Sequence, residues 1–371
     1  MLRGVAAFLV LCSHLRNYVF ADFVSLAQSG PLTKAFYAAT SFGHASVIVF
    51  FAMSGFLVGG KALHDLLAGQ WAWPVYLLRR ATRLLIVVLP ALALTWLLDH
   101  AGIALTGGAG YAGAVVEQYA SWPVHHGDLD YSWRTLAGNL AFLQTVDVPI
   151  FGTNGPTWSL ANEFWYYLVF PLAAFALLAR YAPRARGVAL VVLVGCVALL
   201  PADLLLAGSI WVAGAVAAWL VRREHLAPAL RHPAARVLAL VLVAAGMAVM
   251  RKLPETLTSD LVFGFAVAVA LPVLVMLPSA GRFYRATARA VAEVSYTLYL
   301  THFPLITMIV MVGLAPYRFQ PGAAGALVYV GLLGVAVAWA ITVWWCFERN
   351  TDRVFRRLSA WLPVPARRVR A

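Results

Sequence analysis

Three ionisable side chains inside long apolar segments of the chain are candidates for acid–base chemistry. They are His14, Glu163 and His302. In a membrane-spanning segment an ionisable group is costly, and it usually faces a cavity or a partner inside the helix bundle. A neutral imidazole can take a proton from a hydroxyl group near neutral pH, and a carboxylate can orient that imidazole or act as an acid or base itself. We therefore treat the three residues as candidate catalytic groups, with purely structural roles as the alternative.

The first apolar segment carries a cation and an imidazole on one face. Arg3 and His14 are eleven residues apart, which in an α-helix separates them by only about 20° around the axis and about 16 Å along it. A helix that crosses a membrane would hold Arg3 at the surface and His14 near the middle. This spacing suits a substrate that enters at one surface and reacts deeper inside.

A second group of cations precedes the third apolar segment. Arg80 and Arg83 are spaced i, i+3, so on a helix they share a face and can together bind the oxygens of a phosphate group. The alternative is that they are topological anchors on the cytosolic side of the membrane.

Further candidates lie at the second and fourth apolar segments. Ser54 belongs to the stretch Phe-Phe-Ala-Met-Ser-Gly-Phe-Leu that begins at Phe50. As a nucleophile it would need an adjacent base, which its sequence neighbours do not provide, and the glycines around it favour close helix packing. Trp158 and Ser159 open the fourth segment, where an aromatic belt and a helix start are expected.

The composition indicates which elements position these side chains. Of the 371 residues, 62% are hydrophobic and 12% are charged, whereas a soluble domain has about 25% charged residues. Such a chain cannot cover its surface with polar groups, so we predict an all-α integral membrane protein. The net charge of +13 comes from scattered residues between apolar runs, which argues against a nucleic-acid surface. The three cysteines lack the spacing of metal ligands, so we predict no metal site.

Ten apolar segments can be drawn as membrane-spanning helices. They lie near residues 3–21, 41–62, 84–101, 158–179, 187–202, 204–221, 237–253, 260–278, 294–313 and 324–347. With both termini in the cytosol, six of the 28 basic residues fall on the outer side, and the others follow the positive-inside rule. The six are Arg16, Lys34, Arg134, Arg251, Lys252 and Arg318.

The predicted organisation is a transmembrane domain over residues 1–348 and a basic cytosolic tail over residues 349–371. The longest outer loop covers about residues 102–157, and its stretch from Trp133 to Val148 is predicted to form a short amphipathic or re-entrant helix. Its other polar residues include His125, His126, Asp128 and Asp130.

Five stretches together resemble acyltransferase family 3, the membrane O-acyltransferases that modify surface polysaccharides, O-antigen, peptidoglycan, Nod factors and macrolides. The stretches are Arg3-Gly4-Val5-Ala6 through His14, Phe50-Phe51-x-x-Ser54-Gly55-Phe56-Leu57, Arg80-x-x-Arg83, Trp158-Ser159-Leu160-x-x-Glu163 and Ser295-Tyr296-x-x-Tyr299-Leu300-x-His302. Each stretch alone is a weak signal. The five occur in the family's order and span nearly the whole chain.

The resemblance implies an acyltransferase that uses acyl-coenzyme A, acetyl-coenzyme A in the simplest case, as co-substrate and holds no permanent cofactor. It implies O-acetylation of a glycan or glycolipid by a multi-pass protein of the bacterial inner membrane, with membrane lipids and no nucleic acid as partners. The catalytic residues that it implies are His14 as general base and Glu163 or His302 as its orienting or proton-relaying partner. The substrate-binding residues are Arg3, Ser54, Arg80, Arg83, Trp158, Ser159, Tyr296 and Tyr299.

Two alternatives stay open at this point. A covalent acyl-enzyme on His14, a tyrosine or a serine is the mechanistic alternative to direct transfer. The alternative function is a proton-coupled transporter that uses His14, Glu163 and His302 as a relay. Transporters often contain inverted repeats and paired broken helices, and the sequence has no internal repeat, which favours the enzyme.

Overall fold

The computed structural model of the chain describes residues 1–112, 119, 129–178, 180–277 and 281–362. These residues form helices and connecting segments without a β-strand among them, as predicted. The α-helices are α1 (Leu2–Val19), α2 (Pro31–Ala39), α3 (Gly43–Ser54), α4 (Gly60–Leu67), α5 (Trp73–Thr106), α6 (Trp133–Leu140), α7 (Thr157–Leu177), α8 (Pro183–Leu199), α9 (Ala202–Val221), α10 (Ala227–Arg231), α11 (Pro233–Lys252), α12 (Leu257–Val275), α13 (Arg282–Gly313), α14 (Ala323–Cys346) and α15 (Thr351–Ser359). The 3₁₀ turns are Phe23–Ser25, Ala109–Tyr111, Glu224–Leu226 and Glu348–Asn350, and one π-helical turn, Gly55–Gly59, joins α3 to α4.

Each of the ten predicted segments is helical. In the described part of the chain, eight helical stretches are long and apolar enough to cross a membrane: Pro31–Leu67, Trp73–Thr106, Thr157–Leu177, Ala202–Val221, Pro233–Lys252, Leu257–Val275, Tyr284–Gly313 and Ala323–Ser359. The two predicted spans outside this set are α1 and α8. Helix α8 has 17 residues, the lower end of the range of about 17–25 residues that cross a hydrocarbon core. The membrane fold class is confirmed, and ten spans with cytosolic termini stay a prediction.

Helix α1 lies inside the bundle although it is polar for a membrane helix. Ala7, Leu11, Leu15 and Tyr18 have no exposed surface, and α1 packs against α13, α3 and α14. Protein therefore surrounds much of this helix. Neighbouring helices can satisfy polar side chains that lipid could not, which explains how α1 tolerates an imidazole.

Two helices begin earlier than their apolar stretches indicate. Helix α5 starts at Trp73 instead of near residue 84, and α13 starts at Arg282 instead of near residue 294. The prediction that Arg80 and Arg83 precede the third helix is therefore wrong, because both lie within α5. Hydropathy detects only the apolar part of a helix, whereas arginine is a good helix former and extends it beyond that part.

The glycines that follow Ser54 pack two helices closely, as the small-residue pattern predicts. A Cβ atom at Gly59 would lie 2.7 Å from the Cβ of Ala215, and one at Gly55 would overlap the backbone of Trp211. The π-helical turn therefore rests directly on α9. This contact places Ser54 in the interior, next to Trp211.

The stretch from Trp133 to Val148, in the loop predicted to be external, is only partly helical. Helix α6 ends at Leu140 and not near residue 148, and Phe142 and Thr145 beyond it have left-handed backbones with φ of 57° and 69°, which a helix cannot continue through. Hydrogen bonds from the Thr135 hydroxyl and the Ser132 N–H lower the pKa of Asp130. Asp130 thus organises the start of α6.

Part of the predicted basic tail is structured. Helix α15 packs along α5, and the guanidinium carbon of Arg79 lies 4.2 Å from the centre of the Phe355 ring. The remaining tail, residues 363–371, and the loop residues His125, His126 and Asp128 lie outside the described residues.

Candidate active site

The two predicted intramembrane histidines are in direct contact. Nδ1 of His14 lies 2.9 Å from Nε2 of His302, and the rings are stacked with an interplanar angle of 11°. Nδ1 of His302 lies 2.8 Å from the carbonyl oxygen of Leu298. A carbonyl oxygen only accepts hydrogen bonds, so Nδ1 of His302 carries the proton and Nε2 of the neutral ring is an acceptor. His14 then donates from Nδ1 and keeps its basic lone pair on Nε2.

The backbone around His302 is held by a side chain from the segment that precedes α7. Pro304 lies inside α13 and, having no N–H, leaves the carbonyl of Leu300 without its helical donor. The side-chain amide of Asn154 donates to this carbonyl at 3.0 Å, and Asn154 is fully buried. Asn154 precedes α7, so this bond connects the α13 irregularity beside His302 to the start of α7.

His14 lines a polar cavity of about 480 Å³ that we call the histidine cavity. Its lining residues are Val10, Ser13, His14, Arg16, Asn17, Asp22, Gly43, His44, Val47, Ile150, Gly155, Pro156, Trp158, Glu255, Tyr299 and Phe303. Of the predicted substrate-binding residues, Trp158 and Tyr299 are in this cavity. His14 is partly exposed to it, whereas His302 behind it is fully buried.

The predicted cations line a different and smaller cavity of about 110 Å³, the arginine cavity. Its lining residues are Arg3, Phe50, Phe51, Met53, Ser54, Leu57, Val58, Arg80, Arg83, Leu84, Ser159, Leu160, Glu163, Tyr167, Ser295, Tyr296 and Tyr299. The structure thus brings Arg3 of α1 together with Arg80 and Arg83 of α5. These side chains are far apart in sequence and meet only through helix packing.

The three arginines are not equivalent. Arg83 forms an ion pair of 2.7 Å with Glu348, whose side chain is 1% exposed and also accepts from Thr297. Arg80 has no ion pair among the described residues, and its buried Nε has no hydrogen-bond partner there. Its guanidinium carbon lies 5.7 Å from the ring centre of Tyr167, a cation–π distance. Arg80 therefore has unused donor capacity.

Tyr296 connects the remaining cations of the arginine cavity. The guanidinium carbons of Arg3 and Arg83 lie 5.8 Å and 5.4 Å from the centre of its ring. The Tyr296 hydroxyl donates to the carbonyl of Leu84 at 3.3 Å. Tyr296 thus holds two arginines from α1 and α5 side by side at this cavity.

Glu163 lies in the arginine cavity and not beside His14. Its carboxylate accepts hydrogen bonds of 2.5 Å from Ser54 and from Tyr167, and the indole N–H of Trp211 donates to Ser54 at 3.1 Å. Of the two predicted partners for His14, His302 is the one in contact. Glu163 instead lies next to Ser54. The sequence neighbours of Ser54 include no such acceptor, so helix packing supplies it.

Tyr299 lines both cavities. Its hydroxyl lies 2.7 Å from Oγ of Ser159, and Ser159 lines the arginine cavity while its neighbour Trp158 lines the histidine cavity. Tyr299 and Ser159 are both buried. This hydrogen-bonded pair therefore stands between the two cavities.

Four polar residues in or beside the two cavities were not singled out from the sequence as site residues. His44 and Glu255 line the histidine cavity, Asp260 is bonded to His44, and Glu348 is bonded to Arg83. Glu348 and His44 lie near the ends of predicted spans, where a charged residue is ordinary. Their positions therefore did not indicate that His44 lines a cavity or that Glu348 binds an arginine of the other cavity.

The described residues contain no group of three or more His, Cys, Asp or Glu side chains that could hold a metal ion. The arrangement instead offers a base in one cavity and cations in the adjoining one.

Neither the curated proteins nor the solved structures include a match to the chain. Residues 1–345 match a family model described as an acyltransferase domain. The match covers nearly the whole chain, which carries eight candidate membrane spans; the chain therefore belongs to acyltransferase family 3 and is a membrane acyltransferase.

Proposed function

We propose that the protein transfers a short acyl group, acetyl in the simplest case, from acyl-coenzyme A to a hydroxyl group of a carbohydrate-containing acceptor. The observation that carries the proposal is the pair of cavities that meet at Tyr299. One cavity holds cations suited to phosphate groups, and the other holds His14, whose Nε2 carries the basic lone pair. A two-substrate transfer between an anionic donor and a neutral hydroxyl requires both.

The arginine cavity supports a coenzyme A donor. Arg3, Arg80 and Arg83 would bind the phosphates at the surface, where guanidinium groups form charge-assisted hydrogen bonds. The interior volume of about 110 Å³ favours a short acyl group on the thioester. On this proposal the donor arrives from the cytosol at the inner membrane of a bacterium.

The histidine pair supports direct transfer with His14 as general base. Nε2 of His14 takes the proton from the acceptor hydroxyl while its oxygen attacks the thioester carbonyl carbon. The tetrahedral intermediate then expels the thiolate as the carbon–sulfur bond breaks, and His14 returns the proton to sulfur. His302 contributes by accepting a hydrogen bond from Nδ1 of His14, which orients the ring and stabilises the imidazolium form.

The histidine cavity supports a hydroxyl-rich acceptor. Its volume of about 480 Å³ is lined by side chains that donate and accept hydrogen bonds together with the indole of Trp158. Each sugar hydroxyl both donates and accepts, and the apolar face of a sugar ring packs on aromatic rings. A glycan or the glycan portion of a glycolipid has these properties.

Coenzyme A release tests the proposal directly. Purified protein in lipid vesicles is incubated with acetyl-coenzyme A, and free thiol is measured with and without envelope glycan isolated from cells that lack the gene. We expect glycan-dependent thiol release and base-labile acetyl esters on the glycan by mass spectrometry. Thiol release that does not depend on the glycan, together with identical esters in cells with and without the gene, would refute the proposed function.

A further inference from the structure

We propose that His44, held by Asp260, is a positioning residue that binds the acceptor beside the hydroxyl that reacts at His14. The inference rests on the proposed function and assigns a role to a histidine–carboxylate pair that the transfer step itself does not use. It defines the wall of the histidine cavity that selects and orients the acceptor.

The pair has the geometry of an oriented imidazole. Nε2 of His44 lies 2.8 Å from Oδ1 of Asp260. A carboxylate accepts, so Nε2 carries the proton. Nδ1 of His44 has no hydrogen-bond partner among the described residues, which leaves it for a ligand. The side chain of His44 is 27% exposed and that of Asp260 is 15% exposed, so the imidazole is accessible while its partner is largely covered.

Helix packing places this imidazole beside the catalytic pair. A Cβ atom at Gly43 would lie 2.7 Å from Cβ and Oγ of Ser13, so the first turn of α3 touches α1 at the residue before His14. His44 follows Gly43, and both histidines line the same cavity. An acceptor bound at His14 therefore lies within a cavity that His44 also faces.

The surroundings of His44 suit a sugar more than a simple alcohol. Its ring stacks on Trp158 with 6.4 Å between ring centres and an interplanar angle of 15°. Glu255, from the connection that leads to Asp260, lines the same cavity and has a left-handed backbone with φ of 56°. Such strained residues cluster at functional sites. A ring nitrogen, a carboxylate and an aromatic face together match neighbouring hydroxyls and the apolar face of one sugar ring.

The role assigned to His44 differs from that of His14. The tautomer argument leaves Nε2 of His14 as the proton acceptor, so no second base is needed in the transfer step. A residue that only positions the acceptor is required when the acceptor is large and must be oriented. It is dispensable when the nucleophile is small enough to reach the thioester without guidance.

The experiment compares two acyl acceptors for the same set of variants. Cells that lack the gene are complemented with wild type, His44→Ala, His44→Gln, Asp260→Asn or His64→Ala, and base-labile esters on the envelope glycans are measured. Membranes from these cells are then given acetyl-coenzyme A and hydroxylamine as a small nucleophile, and thiol release is measured above the protein-free rate. His64 is a matched control, because it lies 3.3 Å from Asp65 and lines neither cavity.

We expect His44→Ala and Asp260→Asn to lower glycan esters roughly tenfold, as loss of a hydrogen bond to a charged pair would, with His44→Gln intermediate. Thiol release with hydroxylamine should remain at the wild-type level at equal protein amount, and His64→Ala should behave as wild type in both assays. Equal loss in both assays, or esters at the wild-type level in both His44→Ala and Asp260→Asn, would overturn the positioning role alone. Absence of gene-dependent esters with wild type would instead remove the proposed function on which it rests.

Discussion

The hydroxyl of Tyr299 and Oγ of Ser159 lie 2.7 Å apart at the boundary between the arginine cavity and the histidine cavity. In the proposed mechanism the thioester must reach His14 from the arginine cavity, so the donor must pass this pair. In the structure the hydrogen bond holds Tyr299 across that path. We therefore expect the pair to limit access of the thioester to His14 and of water to the thioester.

Removing this hydrogen bond should allow hydrolysis of the donor without transfer to an acceptor. Tyr299→Phe and Ser159→Ala keep most of the side-chain volume but lose a bond worth about 1 kcal/mol, which corresponds to roughly fivefold in an opening equilibrium. We expect hydrolysis of acetyl-coenzyme A in the absence of acceptor to rise by about that factor, and further in Tyr299→Ala. The measurement is thiol release without glycan.

Tyr166→Phe is the matched control for Tyr299→Phe. Its hydroxyl also makes a buried hydrogen bond, of 2.9 Å to the carbonyl of Leu204, but Tyr166 lines neither of the two cavities. Background hydrolysis in Tyr299→Ala at the wild-type level would show that Tyr299 does not separate the cavities.

Substitutions of the two histidines should lower acyl transfer to different extents. His14→Gln removes the proton acceptor and should lower transfer by about 100- to 10,000-fold, the usual contribution of a general base. His302→Gln acts only through His14 and should lower transfer about tenfold, because one orienting hydrogen bond is lost. Both variants should bind coenzyme A as wild type does, since neither residue lines the arginine cavity.

Initial rates of acyl transfer and calorimetric binding of coenzyme A measure these effects. His232→Gln, a change at an exposed histidine, controls for the substitution itself. Near-wild-type transfer by His14→Gln would exclude His14 as the base and leave His302 as the leading candidate.

Arg80→Ala and Arg83→Ala should give different phenotypes. Arg80 has a buried Nε without a hydrogen-bond partner among the described residues, so its loss should weaken donor binding by ~1.5–3 kcal/mol, the range for charged hydrogen bonds, with little effect on stability. Arg83→Ala leaves the carboxylate of Glu348, which is 1% exposed, without its cation. It should therefore also lower the melting temperature, because an unpaired buried charge is destabilising.

Arg83→Ala combined with Glu348→Gln should regain part of the lost stability but not the donor affinity. Arg79→Ala is the control, since Arg79 packs on Phe355 instead of the cavity. Calorimetry with coenzyme A and thermal unfolding separate the two effects. Unchanged donor affinity in the double variant Arg80→Ala, Arg83→Ala would show that these residues are topology anchors only.

The distribution of basic residues predicts that both termini are cytosolic and that the loop carrying α6 is external. Trp133 at the start of α6 is 83% exposed, so Trp133→Cys in a cysteine-free background should react with a membrane-impermeant thiol reagent added to intact cells. Ser359→Cys at the end of α15 should react only after the cells are opened. Labelling of Ser359→Cys and not of Trp133→Cys in intact cells would show that the protein has the opposite orientation in the membrane.

Much of the fold follows from local properties of the chain. A long apolar run must form a helix in lipid because its backbone groups have no other partners, so all ten predicted segments are helical. The helix ends are less determined. Arg80 and Arg83 lie inside α5, whose apolar part begins only near residue 84, since a helix continues through polar residues that favour it.

The candidate site residues were recognisable individually from their types, but their partners were not. His14 and His302 are 288 positions apart and touch, while Glu163, also a possible partner, is bonded to Ser54. Both pairings are equally compatible with the sequence. A hydropathy pattern identifies helices but does not determine which helix faces are in contact.

Tertiary structure therefore decided the chemistry at each position. Packing of α1 between α3 and α13 sets the tautomer of His14 through His302 and brings His44 to the same cavity. Packing of α5 against the turn Glu348–Asn350 pairs Arg83 with Glu348, whereas Arg80 has no ion pair among the described residues. The residue types and membrane helices were determined by the sequence alone, because they depend on local composition. Which groups are bases, orienting partners or free cations depends on contacts between helices distant in the chain, and only the packed bundle determines those contacts.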